Sequence, residues 1–115
     1  MRLRASVVAA VVVAASVACD RTTAGEALHG IPITLGNNYF APAGLTVNPG
    51  DTVVWIWNGS RHNVTFDQSV MGAPTNCGEF SIGDCRRVLN VPGTFPFTCT
   101  LHSGMDGTVT VRAIR

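Results

Sequence analysis

The sequence predicts an all-β protein, a single-domain antiparallel sandwich of seven to eight short strands. Three observations carry that reading. Beyond residue 28, short runs rich in Val, Ile, Thr and aromatic residues alternate with turn residues roughly every ten positions. No apolar repeat of helical period persists through that stretch. Strands this short and this numerous bury a core only by stacking as two layers, with barrel closure as the competing all-β solution.

The first strand is expected where Ile31, Ile33 and Leu35 alternate with Pro32 and Thr34. Asn48-Pro49-Gly50-Asp51 reads as a turn between a strand ending near Val47 and a second run, Thr52 to Trp57. A further turn at Asn58-Gly59-Ser60 leads into a strand from His62 to Phe66. Asp67 to Gly83 shows no convincing pattern and is expected as a loop. Arg86 to Val91, Thr94 to Cys99 and Thr108 to Ile114 complete the set, with Pro92-Gly93 as the tightest turn.

The N-terminal segment is set apart from the fold. Arg2 and Arg4 precede an apolar run of 13 residues, Ala5 to Val17, made of Ala, Val and Ser. That run is too short to span a bilayer and has the flanks of a secretory signal, so residues 1–18 are read as a signal peptide. Cys19 follows Ser16-Val17-Ala18 directly, as in a bacterial lipobox with Ser16 in the place of the usual Leu. Lipidation at Cys19 is therefore expected. Cleavage after Ala24 is the alternative and would discard that cysteine. Residues 19–28 are small and polar and read as a linker, leaving 29–115 as the domain. The expected destination is the periplasm, across the bacterial inner membrane, as a membrane-anchored lipoprotein.

Charge excludes one class of partner. From Cys19 onward six arginines (21, 61, 86, 87, 112, 115) face seven acids (20, 26, 51, 67, 79, 84, 106), and there is no lysine and no basic cluster. Binding to a nucleic-acid backbone has no electrostatic support.

The four cysteines have different settings. Cys19 is at the processing site, Cys77 and Cys85 flank a short polar segment, and Cys99 lies between Phe97 and His102. The economical assignment is one lipidated residue, one Cys77–Cys85 disulfide and one metal thiolate, with other pairings left open. A bridge closing so short a loop stabilises by roughly 2–3 kcal/mol on the chain-entropy account.

Strand parity locates the candidate chemistry. Residues two apart in a strand share a face, so Phe95, Phe97 and Cys99 point one way and Pro96 and Thr98 the other. Likewise His62 shares the face of Val64 and Phe66. A thiol and an imidazole turned inward at a sandwich end are costly unless something satisfies them, and a metal would. Cys99-Thr-Leu-His102-Ser-Gly-Met105 supplies thiolate, imidazole and thioether within seven residues, and His62 adds a second imidazole from a distant stretch. Two His and one Cys with a weak axial Met is the blue-copper donor set.

On these motifs the segment from Phe40 to Arg115 resembles the plastocyanin/amicyanin-type cupredoxins. The matching stretches are Asn48-Pro49-Gly50-Asp51 with Thr52 to Asn58, Arg61-His62-Asn63-Val64, Pro92-Gly93-Thr94-Phe95, and Cys99 to Gly107. The two-residue gap between His102 and Met105 is the short, amicyanin-like spacing. The resemblance implies a Greek-key sandwich and one type 1 copper ion held by His62, Cys99, His102 and Met105. It further implies that Asn63 ties the His62 loop to the Cys99 loop. Redox proteins are expected to dock at the exposed edge of His102, with Leu101, Gly104 and Met71-Gly72 as its rim, and the protein to act as a monomer. Thr98 stands where plastocyanins carry a tyrosine, and Arg61 where many relatives have proline.

Taken singly, Met71 and His29 read as packing and solvent residues, and Trp55 and Trp57 as core on one strand face. The implied function is one-electron transfer between periplasmic or membrane redox partners. The alternative is a periplasmic copper carrier or buffer, although the Met- or His-rich tracts such proteins expose are missing here. An enzyme is disfavoured, because four protein donors leave no open metal position for substrate.

Overall fold

The computed structural model describes residues 30–113; the signal-like segment, Cys19, the linker and His29 lie outside the described residues. Seven strands follow one another: β1 (Ile31–Leu35), β2 (Phe40–Ala41), β3 (Gly44–Val47), β4 (Asp51–Phe66), β5 (Cys77–Leu89), β6 (Gly93–Thr98) and β7 (Asp106–Val111).

One long strand organises them. The first half of β4 pairs with β1 on one side and β5 on the other, whereas its last residues, Thr65 and Phe66, pair with Thr98 and Phe97 of β6. β6 pairs with β7 and β7 with β3, so the sheets β2-β1-β4-β5 and β4-β6-β7-β3 share β4 and nearly close on themselves. The crossing lies at the Asn58-Gly59-Ser60 turn signal. There the register with β5 shifts between Asn58 and His62, and Gly59 takes φ +101°, a left-handed conformation that favours glycine. The two strands expected on either side of this turn are thus one strand with a corner in it.

Two expectations are corrected. The sandwich is mixed, not wholly antiparallel: β1 runs parallel to β4, and β3 parallel to β7. The chain passes from β1 through β3 in the other sheet before returning as β4, and such a crossover brings it back in the same direction. The segment expected as a loop up to Gly83 is strand from Cys77 onward. β5 follows β4 round its corner, from Cys77 beside Val64 to Leu89 beside Asp51. Only its ends, Cys77 and Leu89, are buried, so no inward face imposed alternation on its sequence. The Cys77–Cys85 disulfide joins two points of this one bent strand, with Cα atoms 6.2 Å apart. It staples the curl rather than closing a loop.

Parity holds where burial enforces it. Ile33, Leu35, Val53, Trp55, Trp57, Phe95, Phe97, Val109 and Val111 fill the interior. Trp55 meets Phe66 and Phe97 edge-on at 5.5 Å, and Phe97 meets Phe40 edge-on at 4.8 Å. These edge-to-face contacts between the two sheets form the waist of the sandwich.

Candidate metal centre

At one end of the waist the inward rows of β4 and β6 finish in polar side chains. His62 and Cys99 are each 1% exposed, continuing the faces of Val64 and Phe66 and of Phe95 and Phe97. After Cys99 the chain makes a tight loop. The His102 amide donates to the Cys99 carbonyl, the Met105 amide to the His102 carbonyl, and the Cys99 amide to the Met105 carbonyl at 3.0 Å. Thr98 Oγ1 also donates to the Met105 carbonyl. Gly104 carries the loop through φ +80°, where a side chain would be strained. This closure returns His102 over the cysteine and leaves Met105 fully buried.

The three donors converge. His62 Nδ1 and His102 Nδ1 face each other across 3.2 Å, and Cys99 Sγ lies 3.9 Å from the first and 3.4 Å from the second. First-row metal bonds run about 2.0–2.1 Å to histidine nitrogen and about 2.3 Å to cysteine sulfur, so one ion can span every pair. The Cys99 thiol is outside the disulfide and available as a donor. Burial, followed by the neighbouring His102 charge, holds the His62 imidazole below the ordinary histidine pKa, while the Gly36 backbone pulls the other way. A neutral imidazole is the form that ligates. His62 Nε2 is buried and, among the described residues, has no partner within hydrogen-bond geometry. The set offers one soft thiolate, two imidazoles and an adjacent thioether, and it fits copper.

The profile of the copper binding proteins, plastocyanin/azurin family, matches residues 31–112. The chain belongs to that family. It is similar to plastocyanin of Scenedesmus fuscus, 33% identical over 87 residues that cover 64% of this chain and 86% of the relative. Plastocyanin of Prochlorothrix hollandica is 36% identical over 94 residues, covering 70% of this chain and 72% of the relative. Among solved structures, a reduced amicyanin variant superposes with a TM-score of 0.64 at 28% identity, over 72% of this chain and 82% of that one. A copper-containing nitrite reductase from Thermus scotoductus superposes at 0.69 with 19% identity, over 76% of this chain and 23% of that one, a likeness of fold alone. The all-β cupredoxin fold and a single type 1 copper follow for this plastocyanin/azurin-family protein.

Around the donors, this cupredoxin is laced by hydrogen bonds. Asn63 spans from β4 to the cysteine loop: its amide donates to Thr100 Oγ1 at 2.7 Å, and its carbonyl accepts the Thr100 amide at 3.0 Å. Thr65 Oγ1 donates to the same Asn63 oxygen. Leu101 is exposed and His102 half-buried, so the loop shows one imidazole edge to solvent. Met71-Gly72 does not belong to that rim. A Cβ on Gly72 would strike Val91, which precedes the start of β6, whereas Cys99 follows its other end. Six extended residues put about 20 Å between them. The segment misled because its exposed Met beside Gly looked like a docking edge, and sequence order carries no information on which pole a loop occupies.

Two contacts were not anticipated from the sequence. Trp57 Nε1 donates to the His62 carbonyl at 2.7 Å. Asn76 Oδ1 accepts the Phe66 amide at 2.7 Å and so ties the incoming loop to the end of β4. The first had a signal, since a buried indole N–H usually finds an acceptor. The second had none.

Proposed function

We propose that this protein is a one-electron carrier whose copper would be held by His62, Cys99, His102 and Met105. The supporting observation is the convergence of a buried thiol and two imidazole nitrogens within 3.9 Å, drawn from two separate stretches of chain. Bound copper would supply a Cu(II)/Cu(I) couple. The residues do the rest. Soft sulfur favours the reduced ion and imidazole suits the oxidised one, so a fixed compromise geometry changes little between them. Burial of His62, Cys99 and Met105 excludes water, and the half-buried His102 gives the electron its exit. Redox partners dock at that edge, beside Leu101 and Gly104.

A carrier is favoured over an enzyme because all four donors come from protein. A surface concavity of about 330 Å³, bordered by Thr65, Pro96, Thr98 and Asp106, is lined by none of them. In the cell, the reading places the domain outside the inner membrane, tethered through lipid at Cys19.

The test is an optical and paramagnetic-resonance spectrum of the copper-reconstituted domain, followed by voltammetry. Intense thiolate-to-copper charge transfer, narrow copper hyperfine splitting and a reversible one-electron wave are expected. A colourless Cu(II) complex overturns the ligand set, and a strong site without a reversible wave favours the copper-buffer reading. Mass spectrometry of the mature N-terminus decides the anchor: acylated Cys19 supports it, and an N-terminus at Gly25 refutes it.

A further inference from the structure

His62 occupies the least regular part of β4. From Asn58 to His62 the strand advances four residues while its partner advances two, Ile82 to Phe80. From His62 to Val64 it advances two while the partner advances three, Phe80 to Cys77. The residue carrying the buried imidazole therefore sits between two irregularities, with a single ladder position to fix its backbone. Regular pairing cannot set its height or tilt.

Trp57 grips this point twice. Its indole N–H donates to the His62 carbonyl across 2.7 Å in a buried setting. Its ring meets Phe80, the residue opposite His62 in the ladder, edge-on at 5.3 Å and 87°. One side chain thus holds the ligand's own carbonyl and the strand position that faces it. Asn63 holds the next residue from the outer side through Thr100. Trp55, two residues earlier on the same face, offers a contrast. It is also buried, but among the described residues its Nε1 has no partner, and its work is packing between Phe66 and Phe97.

We infer that Trp57 is a positioning residue of the metal centre, its N–H fixing the His62 backbone so that the imidazole stays within reach of an ion shared with Cys99. The inference rests on the reading of His62 as a copper ligand. Removing the donor strands a buried carbonyl and frees the bulge, while the other donors stay where β6 and its loop put them. The set would then open on the His62 side.

The experiment compares Trp57→Phe with Trp55→Phe in the copper-loaded domain. Trp57→Phe is expected to shift the charge-transfer bands, widen or distort the copper hyperfine pattern, and weaken copper binding about tenfold, the lower end for lost outer partners of a metal ligand. Trp55→Phe is expected to lower thermal stability and leave the spectrum unchanged. Should Trp57→Phe fail to fold, site-specific benzothienylalanine at 57 keeps the shape of the indole without its N–H, and 5-fluorotryptophan at 57 keeps both. The first is expected to reproduce the spectral change and the second to restore the native spectrum. A Trp57 variant lacking the N–H with a native spectrum and native copper affinity overturns the inference. An unmodified protein that is not blue overturns the copper reading instead, so the two failures are distinguishable.

Discussion

The waist of the sandwich and its metal-bearing end are built from the same strands, β4 and β6, but different forces hold them. At the waist, Trp55, Phe66, Phe97 and Phe40 interlock edge-to-face, and the side-chain N–H there, that of Trp55, has no partner among the described residues. One strand length away, His62, Asn63, Cys99 and Thr100 are fixed by directed contacts between 2.7 and 3.9 Å. Apolar burial is non-directional and tolerates small adjustments, whereas a donor set is set by tenths of an ångström. Stability and chemistry are therefore separable along a single strand. A substitution at the waist should cost folding free energy and leave the colour, and one at the end should do the reverse.

The sharpest way to break that comparison is Cys99→Ser. Loss of the blue charge-transfer band is expected to be complete, with the apo domain still folded by circular dichroism. Retained colour would remove the thiolate from the site. Trp55→Ala tests the other side. It empties the centre of the aromatic cluster and should destabilise by about 3–5 kcal/mol in denaturant titration. Whatever fraction remains folded should keep its native copper spectrum.

Replacing Cys77 and Cys85 together by Ser frees the curl of β5 and should cost roughly 2–3 kcal/mol. Because β5 pairs with His62 as well as with the waist, this variant shows whether the staple serves one region or both. A lowered melting temperature with an unchanged copper spectrum assigns it to the fold.

The smallest effect expected is at Asp67, in the turn below the waist. Ser69 donates to its carboxylate from both hydroxyl and amide, holding its pKa below the usual carboxylate value. A pKa lowered on folding contributes stability that is present above the unfolded value and lost as pH falls through the folded one. Asp67→Asn should lower the melting temperature slightly at neutral pH, converge with the unmodified protein as pH falls through the carboxylate range, and leave the copper spectrum alone. Asp67 is fully exposed, so a large change at neutral pH would mean the turn is coupled to the core.

How much of this was legible beforehand divides along the same line. Parity placed Trp55, Phe97, Val64 and His62 inward correctly, because one-sided burial writes period two into a sequence. The donors could be read because Cys99, His102 and Met105 are local and their spacing is distinctive. β5 could not, since a solvent-facing edge strand has no buried row to reveal it. The bulge at Asn58 to His62 read as a turn because Asn-Gly-Ser is the same signal for both, and only pairing with β5 tells them apart. Met71-Gly72 was misplaced for a related reason: a loop's composition does not say to which pole it runs.

β1 runs alongside β4, from Ile31 beside Val53 up to Leu35 beside Trp57, and Gly36 then comes within influence of the His62 ring. The domain's first described residue, Gly30, packs against Thr52 and Val54 at the foot of that climb. Residues before it join the domain at the heel, with the half-buried imidazole at the toe. Anything that grips the N-terminus would therefore hold the molecule at the end away from the donor set. A tether there would leave the half-buried His102 edge turned away from whatever holds the chain.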